Sequence, residues 1–123
     1  MSGIKVDYRD RRPIYEQLVG NVCEMILRGV LQPDEQLPSV RALASELGIN
    51  PNTIQKAYTE LERRGLVYSS PGRGSFVSSD SGKLTEEARA HAMEAFARAA
   101  TEVKRTGISR EEMLAALEAV WDA

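Results

Sequence analysis

A tight reversal between two short amphipathic segments constrains this chain more than any other feature. It lies in residues 37–65, LPSVRALASELGINPNTIQKAYTELERRG. Ser39 is placed to cap the first segment, because its hydroxyl can accept a bond from an orphan backbone N–H. Val40, Leu43, Ala44 and Leu47 then recur at i, i+3, i+4 and i+7, which gives one buried stripe on a helix. Gly48 stands where that helix must stop, and glycine enters the left-handed region without steric cost. Ile49 plugs the turn. Asn50 caps a second helix whose first turn takes Pro51, where a missing N–H costs nothing. Ile54, Ala57, Tyr58 and Leu61 repeat the apolar spacing, and Gly65 closes the segment.

At about 100° per residue this stripe leaves Asn52, Lys56, Thr59 and Arg63 near the opposite face, with Thr53 and Gln55 on its flanks. Side chains of these types fit base edges. Asn and Gln pair with adenine, Lys reaches guanine or phosphate, and the Thr methyl touches thymine. On a lone helix such a stripe is more often a solvated face. Two capped helices around this turn reverse that weighting, because a second helix of this kind is what enters the major groove.

Residues 66–78, LVYSSPGRGSFVS, follow directly. Residues 66–68 and 75–77 are short β-prone runs around a Pro-Gly-Arg-Gly centre, which predicts a two-stranded ribbon with Arg73 at its tip. Between Gly72 and Gly74, Arg73 can approach a phosphate or a narrow minor groove without side-chain crowding. Alone, that tetrapeptide is an ordinary hairpin turn. After a helix-turn-helix it reads as a wing.

Residues 8–78 resemble the winged-helix domain of the GntR family of bacterial transcription regulators. The resemblance rests on four elements in order: PIYEQLVGNVCEMILRGVLQPDEQLPS from Pro13, LPSVRALASELG, NPNTIQKAYTELERRG and GRGSFV. It implies DNA contacts by Arg41, by the start of the second helix at Asn52, Thr53 and Gln55, and by Arg73 and Gly74 of the wing. Some members carry arginines early in that helix, where this chain has Pro51 and Gln55. The NPNT form is similar instead to the short YtrA-like subgroup, whose members dimerise through a two-helix tail. Base preferences of the arginine-bearing relatives do not transfer.

A chain of 123 residues, 42% of them hydrophobic, suffices for one small core and an appendage. No apolar run reaches membrane-spanning length and the N-terminus has no signal-peptide pattern, so a cytoplasmic location is expected and no membrane partner. Cys23 among Val22, Met25 and Ile26 reads as a core thiol, and His91 is likewise single. No metal-ligand cluster, catalytic triad or phosphate-cradling glycine motif can be assembled, so neither metal nor cofactor is expected, nor an enzyme. Charge is the objection. The chain is at −2, although residues 1–78 carry ten basic and nine acidic side chains, and the remainder six and nine. Local field decides binding. Arg41, Lys56, Arg63, Arg64 and Arg73 can share one surface, and Arg9, Arg11 and Arg12 can form a basic arm or remain a solvated charge run.

Residues 79–83 read as a polar linker. Residues 84–106 then predict a long helix capped by Thr85, with Glu86 and Glu87 in its first turn where acids favour the helix dipole. Its stripe is Leu84, Ala88, Ala92, Ala95, Phe96, Ala99 and Val103. Gly107 ends it, Ser109 and Glu112 form a capping box, Ile108 and Met113 a hydrophobic staple, and Leu114, Leu117, Val120 and Trp121 line a last helix. Two helices with one apolar face each need a partner, and a two-fold copy is the expected one. Folding back on the same chain is the alternative.

The reading is thus a mainly α protein with a small β wing. A winged helix-turn-helix DNA-binding domain over 1–78 is joined by linker 79–83 to a two-helix dimerisation region over 84–123. Candidate contacts to double-stranded DNA are Ser39, Arg41, Asn50, Asn52, Thr53, Gln55, Lys56, Arg63, Arg73 and Gly74. Candidate dimer contacts are Leu84, Ala88, Ala92, Phe96, Ala99, Val103, Leu114, Leu117 and Trp121. The expected function is a repressor acting as a homodimer on an inverted repeat; whether a small-molecule effector exists is left open, and its site, if present, is expected near the dimer interface. A winged helix that docks a protein without reading DNA is the competing class; the acidic total charge favours it, and Arg73 between glycines argues against it.

Overall fold

Ser39 accepts a hydrogen bond from the Ala42 backbone at 3.0 Å, and Asn50 accepts one from the Asn52 backbone at 2.8 Å. These two caps start the central helices of the structure, a computed structural model that describes residues 2–123, with the side chains of 81–83 and 85 outside that description. Among the described residues the order is α1 (Ile14–Leu27), α2 (Val40–Leu47), α3 (Pro51–Arg63), β1 (Val67–Ser70), β2 (Gly74–Val77), α4 (Ser81–Arg105) and α5 (Arg110–Trp121). Gly48 ends α2 at φ 65° with its N–H on the Ala44 carbonyl, the left-handed stop that its position predicts.

The chain divides into two compact units, Met1–Glu87 and Ala88–Ala123. In the first, α3 packs on α1 and α2 around Leu18, Val22, Leu43, Ile54, Leu61 and Leu66. Cys23 is fully buried in the same core. The N-terminal segment joins in, since Ile4 is also buried there. Gln17 ties that segment down: its side chain accepts from the Asp7 backbone at 2.8 Å and donates to the Arg12 carbonyl at 3.0 Å. A buried amide that satisfies both ends in this way stabilises where an unpaired one would cost.

Strands β1 and β2 pair antiparallel, with Val67 opposite Val77 and Tyr68 opposite Phe76. The aromatic pair stacks with ring centroids 5.5 Å apart. The turn between the strands closes with the Arg73 N–H on the Ser70 carbonyl at 2.9 Å, and Gly72 has φ 74°. Pro71 followed by a positive-φ glycine is the requirement of a type II turn. The far edge of β2 is also occupied. Asp34 and Leu37 donate backbone bonds to Val77 and Ser75 at 2.8 Å, and Val77 donates to Glu35 at 2.9 Å. The wing is therefore backed by a third extended segment that the sequence pattern does not announce.

Helix α4 begins at Ser81, so 81–83 of the expected linker belong to the helix. The Leu84 N–H already bonds the Asp80 carbonyl at 3.1 Å. Asp80 is itself an acceptable capping residue, which moves the start forward by a turn. Position 85 accordingly lies inside the helix, with its side chain outside the described residues, and no acid falls in the first turn. In the second unit, Ser109 caps α5 by accepting from the Glu112 backbone at 3.1 Å. Its hydroxyl, in place of its backbone N–H, meets the Glu112 carboxylate at 3.3 Å. No residue of α5 is buried.

Candidate nucleic-acid interface

Ile54, Ala57 and Leu61 are fully buried and Tyr58 nearly so, which turns the other side of α3 outward. Asn52, Gln55, Lys56, Thr59 and Arg63 are exposed there, whereas Thr53 is half-buried. Gln55 donates to the Thr59 hydroxyl at 3.3 Å. Ser39 and Asn50, both candidate contacts, spend side-chain oxygens on the caps and so fix the starts of α2 and α3. Tyr58 secures the angle of α3 by donating its hydroxyl to the Pro38 carbonyl at 2.6 Å. Burial, and secondarily Glu46, pushes that phenol up to about 12.

Lys56 has an unforeseen neighbour. Its Nζ lies 3.8 Å from the centroid of the Tyr15 ring on α1. Helical periodicity within α1 or α3 carries no signal for a contact between the two helices.

Arg41 and Arg73 are both exposed. Arg41 borders a shallow groove with Ser45, Gly48, Ile49 and Pro51, beside the start of α3. Arg73 lies at the wing tip, its guanidinium carbon 5.4 Å from the Phe76 ring centroid. Two residues of the preceding loop hold the wing. Gln36 donates its side-chain amide to the Arg73 carbonyl at 2.7 Å. Asp34 accepts from the Tyr68 hydroxyl at 2.8 Å, which raises the Tyr68 pKa. Gly74 has φ 120°, and a Cβ there would lie 2.9 Å from the Gln36 amide nitrogen. Its place in the site is thus close packing behind the tip.

The acids near this surface are engaged. Glu60 accepts from Arg63 at 2.9 and 2.5 Å and from Arg64 at 3.1 Å, and Arg64 reaches on to Glu87 at 3.2 Å. The bonds from Arg63 chiefly, and from Arg64 after them, hold the Glu60 carboxyl down to about 2. Arg63 is therefore a paired cation on the α3 face, a pairing its i, i+3 spacing would have revealed. Glu46 is occupied by Ser2, through its hydroxyl at 2.7 Å and its backbone at 3.1 Å. Two of the three arginines before α1 also have acidic partners: Arg12 pairs with Asp10 at 2.7 Å and Arg9 lies 3.6 Å from Asp7.

Among the candidate dimer residues, Leu84 packs half-buried against the core of its own winged helix. Ala88, Val103 and Leu117 are half-buried, and Ala92, Phe96, Ala99 and Leu114 are exposed. Trp121 is 80% exposed and Val120 73%.

A capped helix-turn-helix, a backed β ribbon and an outward polar helix face define a winged helix-turn-helix protein. Residues 14–77 match the family model described as bacterial regulatory proteins, gntR family. The HTH-type transcriptional repressor YtrA of Bacillus subtilis (strain 168) is 43% identical over 88 residues, covering 67% of this chain and 68% of that protein. A GntR family transcriptional regulator from Listeria monocytogenes superposes with a TM-score of 0.74 at 32% identity, over 89% of this chain and 96% of that one. The AraR DNA-binding domain in complex with operator ORE1 superposes with a TM-score of 0.53 at 31% identity, over 60% of this chain and 90% of that one. The chain belongs to the gntR family of bacterial regulatory proteins. No helix among the described residues is long and apolar enough to cross a membrane.

Proposed function

We propose that this protein is a sequence-specific transcriptional repressor that acts in the cytoplasm as a homodimer on an inverted-repeat operator. The observation that carries the reading is the exposed α3 face of Asn52, Gln55 and Lys56, together with two exposed arginines, Arg41 beside the start of α3 and Arg73 at the wing tip. Asn52, Gln55 and Lys56 read base edges in the major groove, Arg41 binds backbone beside them, and Arg73 enters the adjoining minor groove. The operator-bound AraR domain, whose chain this fold covers by 90%, supports that placement.

The tail supports pairing. Leu114, Val120 and Trp121 are 47%, 73% and 80% exposed on helices that carry an apolar stripe, and a two-fold copy supplies the missing face. Pairing also presents two recognition helices to two half-sites. An effector would act between the tails, by changing the separation of those helices.

Selection of a randomised duplex library on the full chain, followed by gel shifts over a salt series, tests the reading. An inverted repeat should be enriched. Arg41→Ala should weaken binding to all duplexes alike and lower the salt slope by about one. Unchanged affinity and slope in Arg41→Ala would remove that arginine from the interface. Failure to enrich any sequence would remove the DNA-reading function.

A further inference from the structure

We propose that Tyr15 sets the direction in which Lys56 meets DNA, so that α1, the scaffold helix of the core, also takes part in base selection. The assignment rests on α3 being the recognition helix. Lys56 Nζ stands 3.8 Å from the Tyr15 ring centroid, within the range where the ring's negative face attracts an ammonium. Tyr15 is itself fixed, half-buried in the first turn of α1 and packed against the core. Lys56 by contrast is exposed, and a lysine stem carries about 2 kcal/mol of rotamer entropy. Resting on a fixed ring restricts that freedom before DNA arrives, and ordering already done lowers the cost of binding.

The kind of partner matters as much as its position. Arg63, on the same helix face, is instead paired with the carboxylate of Glu60. Lys56 makes no ion pair among the described residues. An aromatic ring fixes a cation without neutralising it. An ammonium has three N–H donors. With the ring on one side, the remaining donors point outward, to the O6 and N7 acceptors of guanine or to a phosphate oxygen.

A double-substitution cycle on the duplex selected by the wild-type chain decides the matter. Tyr15→Phe keeps the ring face and should bind within about twofold of wild type. Tyr15→Leu should bind about two- to fivefold more weakly, the range for an exposed cation–π contact. Repeating the library selection with Tyr15→Leu should relax preference at the same base position that Lys56→Met relaxes. In a Lys56→Met background, Tyr15→Leu should cost nothing further. An equal loss in both backgrounds would mean that Tyr15 serves packing alone and would overturn the proposal. Tighter binding by Tyr15→Leu would overturn it too, because the ring would then be holding Lys56 away from DNA. If the wild-type chain enriches no sequence, the DNA-reading function fails first and this assignment with it.

Discussion

The side-chain amide of Gln36 donates to the Arg73 carbonyl oxygen at 2.7 Å, so a residue ahead of the helix-turn-helix holds the tip of the wing from behind. The bond ties the Arg73 backbone to the loop that leads into α2, while its exposed guanidinium sits 5.4 Å from the Phe76 ring centroid. The wing and the segment leading into the helix pair are thereby joined by a direct hydrogen bond.

Gly74, next to this bond, disfavours a side chain chiefly through its backbone conformation. Its φ of 120° disfavours any L residue, and an added Cβ would stand 2.9 Å from the Gln36 amide nitrogen. Gly74→Ala should lower stability by about 1–3 kcal/mol, the range for a forced backbone conformation. It should also reduce DNA binding, because Gln36 must release the Arg73 carbonyl. Gln36→Ala should reduce binding with a smaller stability loss, about 0.5–1.5 kcal/mol for one hydrogen bond. Thermal unfolding and gel shifts on both variants check the order. Equal stability losses would sink it.

Tyr58→Phe should destabilise the fold by about 1–3 kcal/mol, because the Pro38 carbonyl loses its donor in a partly buried setting. The variant should also change the alkaline limit of stability. The folded phenol titrates at about 12 against an ordinary 10.0. A raised folded pKa means stability that is complete below pH 10 and lost as pH climbs towards 12. Denaturant midpoints measured from pH 8 upward should fall less steeply above pH 10 in Tyr58→Phe than in wild type. Parallel slopes would show that another group governs the alkaline loss.

Glu60→Gln should release Arg63 and Arg64 from a carboxylate that now holds both. Binding to any duplex should tighten, with a steeper salt dependence. Arg63→Ala in the wild-type background should cost less affinity than Arg41→Ala, since the Arg63 charge is already compensated. A larger loss for Arg63→Ala would place that side chain on phosphate despite Glu60. Glu60 also contributes to the acid limit: its carboxyl is held down to about 2, so its share of stability is present above pH 4.5 and fades as pH falls.

Leu114→Asp tests the tail. Leu114 is 47% exposed on a helix with no buried residue, so the charge should leave the winged helix folded. Sedimentation equilibrium should report twice the 13.6 kDa chain mass for wild type and a shift towards one chain for the variant. A wild-type chain that stays at single mass up to high micromolar concentration would remove the paired-tail reading.

Punctuation was legible in the sequence because it is local. Ser39, Gly48, Asn50 and Pro51 act on backbone groups within a few residues, and the α2 and α3 stripes follow from helical period alone. The α3 face was legible for the same reason. Contacts between segments distant in sequence were not. Nothing in Asp34, Glu35 and Gln36 marks an extended segment, for none is β-branched or aromatic; only the free edge of β2 recruits them. Tyr15 beneath Lys56 depends on how α1 crosses α3. Ile4 and Val6 did carry a signal, alternating with Gly3 and Lys5 as an edge segment does, but two residues are too few to assert a period. The start of α4 was misplaced because Asp80 and Thr85 are both able to cap, and the residues between them tolerate helix.

Segment 34–37 also has a geometric consequence. It bonds along β2 at one end and runs within four residues into Arg41 at the other. The α2 arginine and the ribbon arginine are then linked through one short bonded segment. With the two arginines on neighbouring grooves as proposed, a DNA site that gains one base pair between them, about 3.4 Å of rise along a strand, should bind more weakly, because so short a bonded segment leaves most of the adjustment to the duplex.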